Sequence, residues 1–293
     1  MFLGLKTLTA LTIADRHFTL PLDTLLEFME ENRSLESANL DIGFAEPSLR
    51  RSDRQTPTGN RLRQLLIHCS ETMDGRALIS SIALRRGAAL DIEYYGAEDG
   101  GLVDLLSGVS ARHLPNLSSS LAECRSSSEF PMSIWLLGSN GSFSLKTCFL
   151  YDNPFKGFPP FILDNIRELY LEHHMPSISL PSFPSLEVLV IGNGTNAPWV
   201  LSTLLPNPTV CSLLKTIAFL NHAITEGFMD ELARFASDRE NITSAPLHRV
   251  VVVNSEGRLP STASIERLRG HITVVEVIEG CELPTDLSEY LAL

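Results

Sequence analysis

Histidines, cysteines and a few carboxylates are the residues here whose types could do chemistry, and their spacing limits what that chemistry would be. His173 and His174 are adjacent. On a strand they face opposite ways, so they do not grip one metal together. His68, His173, His174 and His222 each follow an apolar run. A ridge of strand-end histidines would form a site, and scattered surface histidines fit the same placement. Nothing in the linear sequence sets a nucleophile beside an oriented base, which argues against an enzyme using histidine or carboxylate chemistry; a buried cavity collecting Tyr95, His68 and Glu93 would reopen that reading. GxSxG, HExxH and phosphate-loop patterns are missing. The GNGT at Gly192 reads as a turn, and Glu98 and Asp99 before Gly100 and Gly101 read as a loop without the later acidic ligands of a calcium site. The five cysteines, Cys69, Cys124, Cys148, Cys211 and Cys281, make no CxxC or other ligand spacing. They read as buried small hydrophobes in a reducing compartment. The expectation is therefore a chain with no catalytic residues, no metal and no cofactor.

The elements that would position any site repeat along the chain. Ile166, Leu169 and Leu171 spell IxxLxL, and Leu186, Leu189 and Ile191 spell LxxLxI 20 residues later (166, 186). A short strand with three inward apolar positions, recurring at such an interval, is the signature of a leucine-rich solenoid. Earlier, Leu8, Leu35 and Leu62 open the same pattern at a constant step of 27 residues (8, 35, 62), continued by Leu11 and Ile13, Ala38 and Leu40, and Leu65 and Ile67. A further 27 lands on Ala89, which opens AxxIxY with Ile92 and Tyr94, so Leu11, Ala38, Leu65 and Ile92 are expected to stack as rungs. Later strands are expected at Leu214, Ile217 and Phe219, at Leu247, Val250 and Val252, and at Ile272, Val275 and Val277.

Helix-like segments lie between the strands. Leu20 to Asn32 has Pro21 at its start and Asp23 in its first turn. Thr72 to Arg86 carries Leu78, Ile79 and Ile82 on one stripe, with Gly87 as its stop. Thr225 to Ser237 puts Phe228, Leu232 and Phe235 on one face, and Ser261 to Gly270 turns Ile265 and Leu268 inward. A short helix fits Leu102, Leu105 and Leu106. Residues 44–61 read as a polar loop. The middle, about 109–165, is irregular. Leu114 with Leu117 and Ile134 with Leu137 look like half repeats, Leu145, Cys148 and Leu150 give LxxCxL, and the segment from Tyr151 to Phe161 is too proline-rich for a helix. The fold class expected is α/β: a leucine-rich-repeat solenoid over 1–281, with a curved parallel sheet on the concave side, helices and loops on the convex side, and an acidic tail at 282–293.

These repeats resemble the leucine-rich repeats of the ribonuclease-inhibitor-like type, and more narrowly the repeat region of fungal F-box proteins, from about Leu5 to Gly280. The resemblance implies a substrate-holding solenoid in a cullin ubiquitin ligase, in which a separate N-terminal F-box docks the adaptor. Leu8 already belongs to a strand, so the F-box is expected to be absent and the chain to be a fragment or to lean on a neighbour. An adaptor partner follows only if an upstream F-box exists. The family places Asn or Cys at the ninth repeat position; here Arg16, Gly43, Ser70, Gly194 and His222 stand there, while Asn193, Asn221 and Asn254 occupy the eighth. Those asparagines either turn inward as a structural column bonding the neighbouring backbone or are ordinary turn residues.

If positions one, four and six point inward, the alternate positions form the concave face. These are Asp91, Glu93 and Tyr95, then Glu168, Tyr170 and Glu172, then Val188, Val190, Ala218, Leu220, Val251 and Val253. Tyrosines among carboxylates beside exposed aliphatics suit a protein partner. Solenoid faces also carry such residues without one. The net charge of −12 disfavours nucleic acid and an anionic membrane surface. The first residues, with Lys6 breaking the apolar run, read as a repeat strand rather than a signal peptide. The function expected is a non-enzymatic interaction scaffold in the cytoplasm or nucleus. The alternative is a secreted or cell-surface recognition solenoid, with sequons at Asn116, Asn140, Asn193 and Asn241 as its motive.

Overall fold

The computed structural model describes residues 8–45, 62–69, 72–82, 84–85, 87–95, 105–106, 109, 114, 120–125, 132–138, 141–147, 155, 158–171, 180, 183–192, 197–207, 209–220, 225–242, 246–254 and 260–279. The fold is mixed α/β, with parallel strands and helices and, among the described residues, no closed barrel. The chain divides into two compact units, Met1–Ser120 with Ser127–Ile162, and Leu121–Ser126 with Leu163–Leu293.

In the first unit, β1 (Ala10–Pro21), β2 (Ser37–Ala45), β3 (Gln64–Cys69) and β4 (Ala89–Tyr94) lie side by side in chain order, each parallel to the next. β5 (Ser120–Arg125) belongs from Leu121 onward to the second unit. β6 (Met132–Gly138) and β7 (Gly141–Thr147) form an antiparallel hairpin, and β7 is the parallel neighbour of β4. Gly138 pairs with Gly141, and the two residues between them are too few for the crossover a parallel pair needs. This hairpin replaces the half repeats expected in the middle. Ile134 is buried but Leu137 is 43% exposed, because strand side chains alternate and an odd spacing changes face. Leu145 sits on the rung of Ile92, with Phe143 one rung earlier, so it does not open a new unit; Cys148 and Leu150 lie outside the described residues.

The expected register holds for two steps and then slips. Leu11 pairs with Ala38 and Ala38 with Leu65, but Leu65 pairs with Leu90, and Ile92 pairs with Ile67. The expected rung of Leu11, Ala38, Leu65 and Ile92 is therefore corrected to one ending in Leu90. The cause lies in the preceding turn. Gly87 adopts the left-handed conformation at φ 83°, Ala88 N–H donates to Arg85 O at 3.0 Å, and the chain enters the sheet two residues early. A slip of two keeps every side chain on its face.

Local rules account for the helices of this unit. α1 (Leu22–Glu31) starts behind Pro21 and buries Leu25, Phe28 and Met29. Asn32 ends it by donating from its backbone and its side chain to Phe28 O. α2 (Thr72–Ser81) is shorter than expected, so Gly87 serves the turn into β4 rather than the helix stop. A Cβ on Gly75 would lie 2.6 Å from Leu105 Cδ1, so glycine permits the close approach of α2 to buried Leu105. Phe158 packs edge-on against Phe143, and Pro160 opens the single turn α3 (Pro160–Leu163), the one helical stretch described in the proline-rich segment.

The second unit is more regular. Its strands run in the order β5, β8 (Ile166–Leu171), β9 (Val188–Ile191), β10 (Thr216–Leu220), β11 (Arg249–Asn254) and β12 (Val274–Glu279). From β8 to β12 every neighbour is parallel. Leu169, Leu189, Ile217, Val250 and Val275 form one rung, and the next begins with Leu171, Ile191, Phe219 and Val252, as the repeat pattern requires. The connections carry α4 (Ala197–Leu204), α5 (Glu226–Ile242) and α6 (Thr262–Arg269). Phe228 of α5 meets Phe219 edge-on at 4.9 Å, which places the helix on that sheet face. Thr225 Oγ1 caps α5, and Ser261 Oγ caps α6 by accepting from Ser264 N–H. No helix among the described residues is long and apolar enough to cross a membrane.

Candidate functional site

Strand alternation builds a polar row across the first unit. Asp41, His68, Glu93 and Lys146 are successive cross-strand partners on β2, β3, β4 and β7. His68 Nδ1 lies 2.9 Å from Glu93 Oε2, Tyr95 Oη donates to Glu93 Oε2 at 3.0 Å, and Lys146 Nζ donates to Glu93 Oε1 at 2.8 Å. Burial raises the carboxyl's pKa. The hydrogen bonds from Lys146 and Tyr95 and the charges of Lys146 and His68 outweigh that and hold Glu93 below the ordinary carboxylate range. One row back, Ser144 Oγ donates to Asp91 Oδ1 at 2.6 Å. Trp135, partly exposed, lies under the Lys146 ammonium at 5.8 Å.

Tyr95, His68 and Glu93 thus meet, with Lys146 joining them from a region where the repeat pattern was faint. Both Glu93 oxygens are occupied by donors of this network. A carboxylate so used ties the strands together. Among the described residues, no group of three or more His, Cys, Asp or Glu side chains is placed to hold a metal ion.

The corresponding face of the second unit changes character along its strands. Val190, Ala218, Leu220, Val251 and Val253 form a cluster in which each residue is at most 5% exposed, with Tyr170, Val188 and Ile278 packed against it. This corrects the expectation of exposed aliphatics: β10 is buried on both faces, as parallel strands commonly are. Val188 and Tyr170 remain part-exposed. Glu172, Asn193 and Asn221 lie outside the described residues. Asn254 is placed in β11, opposite Glu279, without its side chain being described.

At the N-terminal ends of these strands the face opens into a groove of about 620 Å³. Its edge is the row Arg167, Glu187, Lys215, His248 and Thr273. Its inner row is Glu168, Val188, Thr216, Arg249 and Val274, paired along the sheet. Glu187 accepts from Arg167 at 3.3 Å and from Lys215 at 2.7 Å. Arg249 reaches both oxygens of Glu276, at 3.1 and 3.2 Å. Desolvation, and next the charge of Glu187, raise the pKa of Glu168. Of the groove residues, only Glu168 and Val188 were named from sequence, although Thr216, Arg249 and Val274 stand at the same repeat position. The rest occupy the second and third repeat positions, where Arg, Glu, Lys, His and Thr recur, and that recurrence was the available signal.

Arg239 was also missed. It is fully buried and donates to the carbonyls of Val210, Cys211, Ser212 and Leu214, organising the turn into β10, in which Cys211 adopts φ 51°. Phe228, Leu232, Phe235 and Arg239 continue one helical stripe, so extending the expected helix beyond Ser237 would have found it. Cys69 and Cys211 are buried thiols outside any disulfide, and burial pushes Cys211 up to about 12. No protein-family model matches the chain, and no curated protein matches it.

Proposed function

We propose that this chain is a non-enzymatic protein-interaction scaffold of leucine-rich-repeat type, each unit a stretch of solenoid, acting as the substrate-recognition part of an F-box-like ubiquitin-ligase subunit in the cytoplasm or nucleus. The observation that carries the scaffold reading is the groove of the second unit. Its lining comes from the same two positions of five successive repeats, Arg167 and Glu168 through Thr273 and Val274. Solenoids make binding surfaces this way, by presenting one position of each repeat along one face. The face opposite Phe228 is the one so used. The ligase role rests on the repeat resemblance, and the buried thiols Cys69 and Cys211 suit a reducing compartment.

The test is co-purification of the full-length gene product with a cullin-ligase adaptor, beside recovery of a bound protein that is lost on replacing Glu168 and Tyr170 by alanine. Recovery of both supports the whole reading. A partner without the adaptor keeps the scaffold and removes the ligase role. Turnover of a small substrate abolished by changing His68 or Glu93 would remove the scaffold reading in favour of an enzyme.

A further inference from the structure

We propose that the groove of the second unit takes an extended peptide segment of a partner protein and that Glu168 is the counter-ion for a lysine or arginine on that segment. The proposal deepens the scaffold reading and rests on it. The arginines and the lysine of the groove are each engaged by a carboxylate other than Glu168. Glu187 holds Arg167 and Lys215, and Arg249 holds Glu276. Glu168 makes no hydrogen bond or ion pair among the described residues; the charge nearest to it in effect is the like charge of Glu187. A part-buried carboxylate without a counter-ion costs free energy, which an incoming cation recovers.

Shape and surroundings favour a peptide over a small cation. The inner row crosses five strands, from Glu168 to Val274. At ~4.8 Å between strands this is a span of about 19 Å, the reach of roughly six extended residues. Val188 beside Glu168, and Val274, 38% exposed, at the far end, offer apolar surface. A lysine or arginine stem lies along such surface while its charged head meets the carboxylate. Thr216 lies between them in the lining.

The experiment is selection from a randomised hexapeptide display library on the purified full chain, on Glu168→Gln and on Glu168→Lys. The expected result is enrichment of a basic residue at one fixed position, about tenfold weaker binding of the selected peptides to Glu168→Gln, and recovery with Glu168→Lys when that residue is changed to glutamate. Circular dichroism of both variants establishes that they fold. A basic preference unchanged in Glu168→Gln, or selected peptides without a basic residue, overturns the inference and leaves the scaffold reading standing. Spermidine binding as tightly as the best peptide overturns the commitment to a peptide. No enrichment overturns the inference too, and adaptor co-purification then decides the scaffold reading separately.

Discussion

The two units use the same strand alternation and put opposite chemistry on the alternate face. In the first, Asp41, His68, Glu93 and Lys146 make a charged row across four strands. In the second, Val190, Ala218 and Val251 take the alternate positions and are buried. Helix-facing rungs are apolar in both. The repeat therefore fixes which side chains share a face, while the residues at the free positions decide whether that face is a second core or a polar surface. Among the described residues of the second unit, this face carries polar side chains at the strand beginnings, where the groove forms, and at Glu276, opposite Val251.

The largest test of this contrast is a pair of truncations. Leu220→Ala removes a fully buried side chain from the second unit's cluster and should cost about 2–5 kcal/mol. Leu66→Ala, on the alternate face of the first unit and part-exposed, should cost about 1 kcal/mol or less. Equal losses in urea denaturation would break the contrast. Next comes Glu93→Gln, which leaves Lys146 and His68 without their carboxylate and should cost about 1–3 kcal/mol at neutral pH. Because the folded Glu93 pKa is depressed, its stabilisation is full above the ordinary carboxylate pKa and is lost as pH falls through the folded value. The gap between wild type and Glu93→Gln should therefore close in acid, and a gap that widens there would refute the network.

Glu168 should behave with the opposite sign. Its folded pKa is raised, so the fold loses stability as pH rises from the ordinary carboxylate value through the folded one. Glu168→Gln is expected to raise Tm at neutral pH by about 1–3 °C, and a lowered Tm would count against an uncompensated charge in the groove. The smallest effect is expected from Lys215→Ala. Its ion pair with Glu187 is half exposed, and its loss should change stability by about 0.5 kcal/mol or less. A loss well above that would mean the groove edge is more desolvated than its exposure implies.

The second unit was legible because its rungs are regular. Leu169, Leu189, Ile217, Val250 and Val275 stand where the pattern puts them. The first unit was legible until Gly87, whose turn shortened the third step by two residues. Faces survived that slip because the strand period is two, so Asp91 and Glu93 still lie on the alternate face. The hairpin of β6 and β7 was not legible, because a short apolar run states its period but not the direction of its partner. The groove was half legible: Glu168 and Val188 were placed on the free face, but only the sheet sets Lys215 and Arg249 in the same lining.

The sequence by itself determined the local periods: which residues alternate on strands, which form helical stripes, and where caps such as Pro21 and Ser261 begin a helix. These are matters of neighbours one to four residues apart, and backbone geometry settles them. Only the tertiary structure decided that Val251 is buried, that Lys146 reaches Glu93 from 53 residues away, and that Glu168 has no cation partner among the described residues. Burial and pairing depend on what distant segments bring to the other side of the sheet, and a side chain's own chemistry carries no information about that.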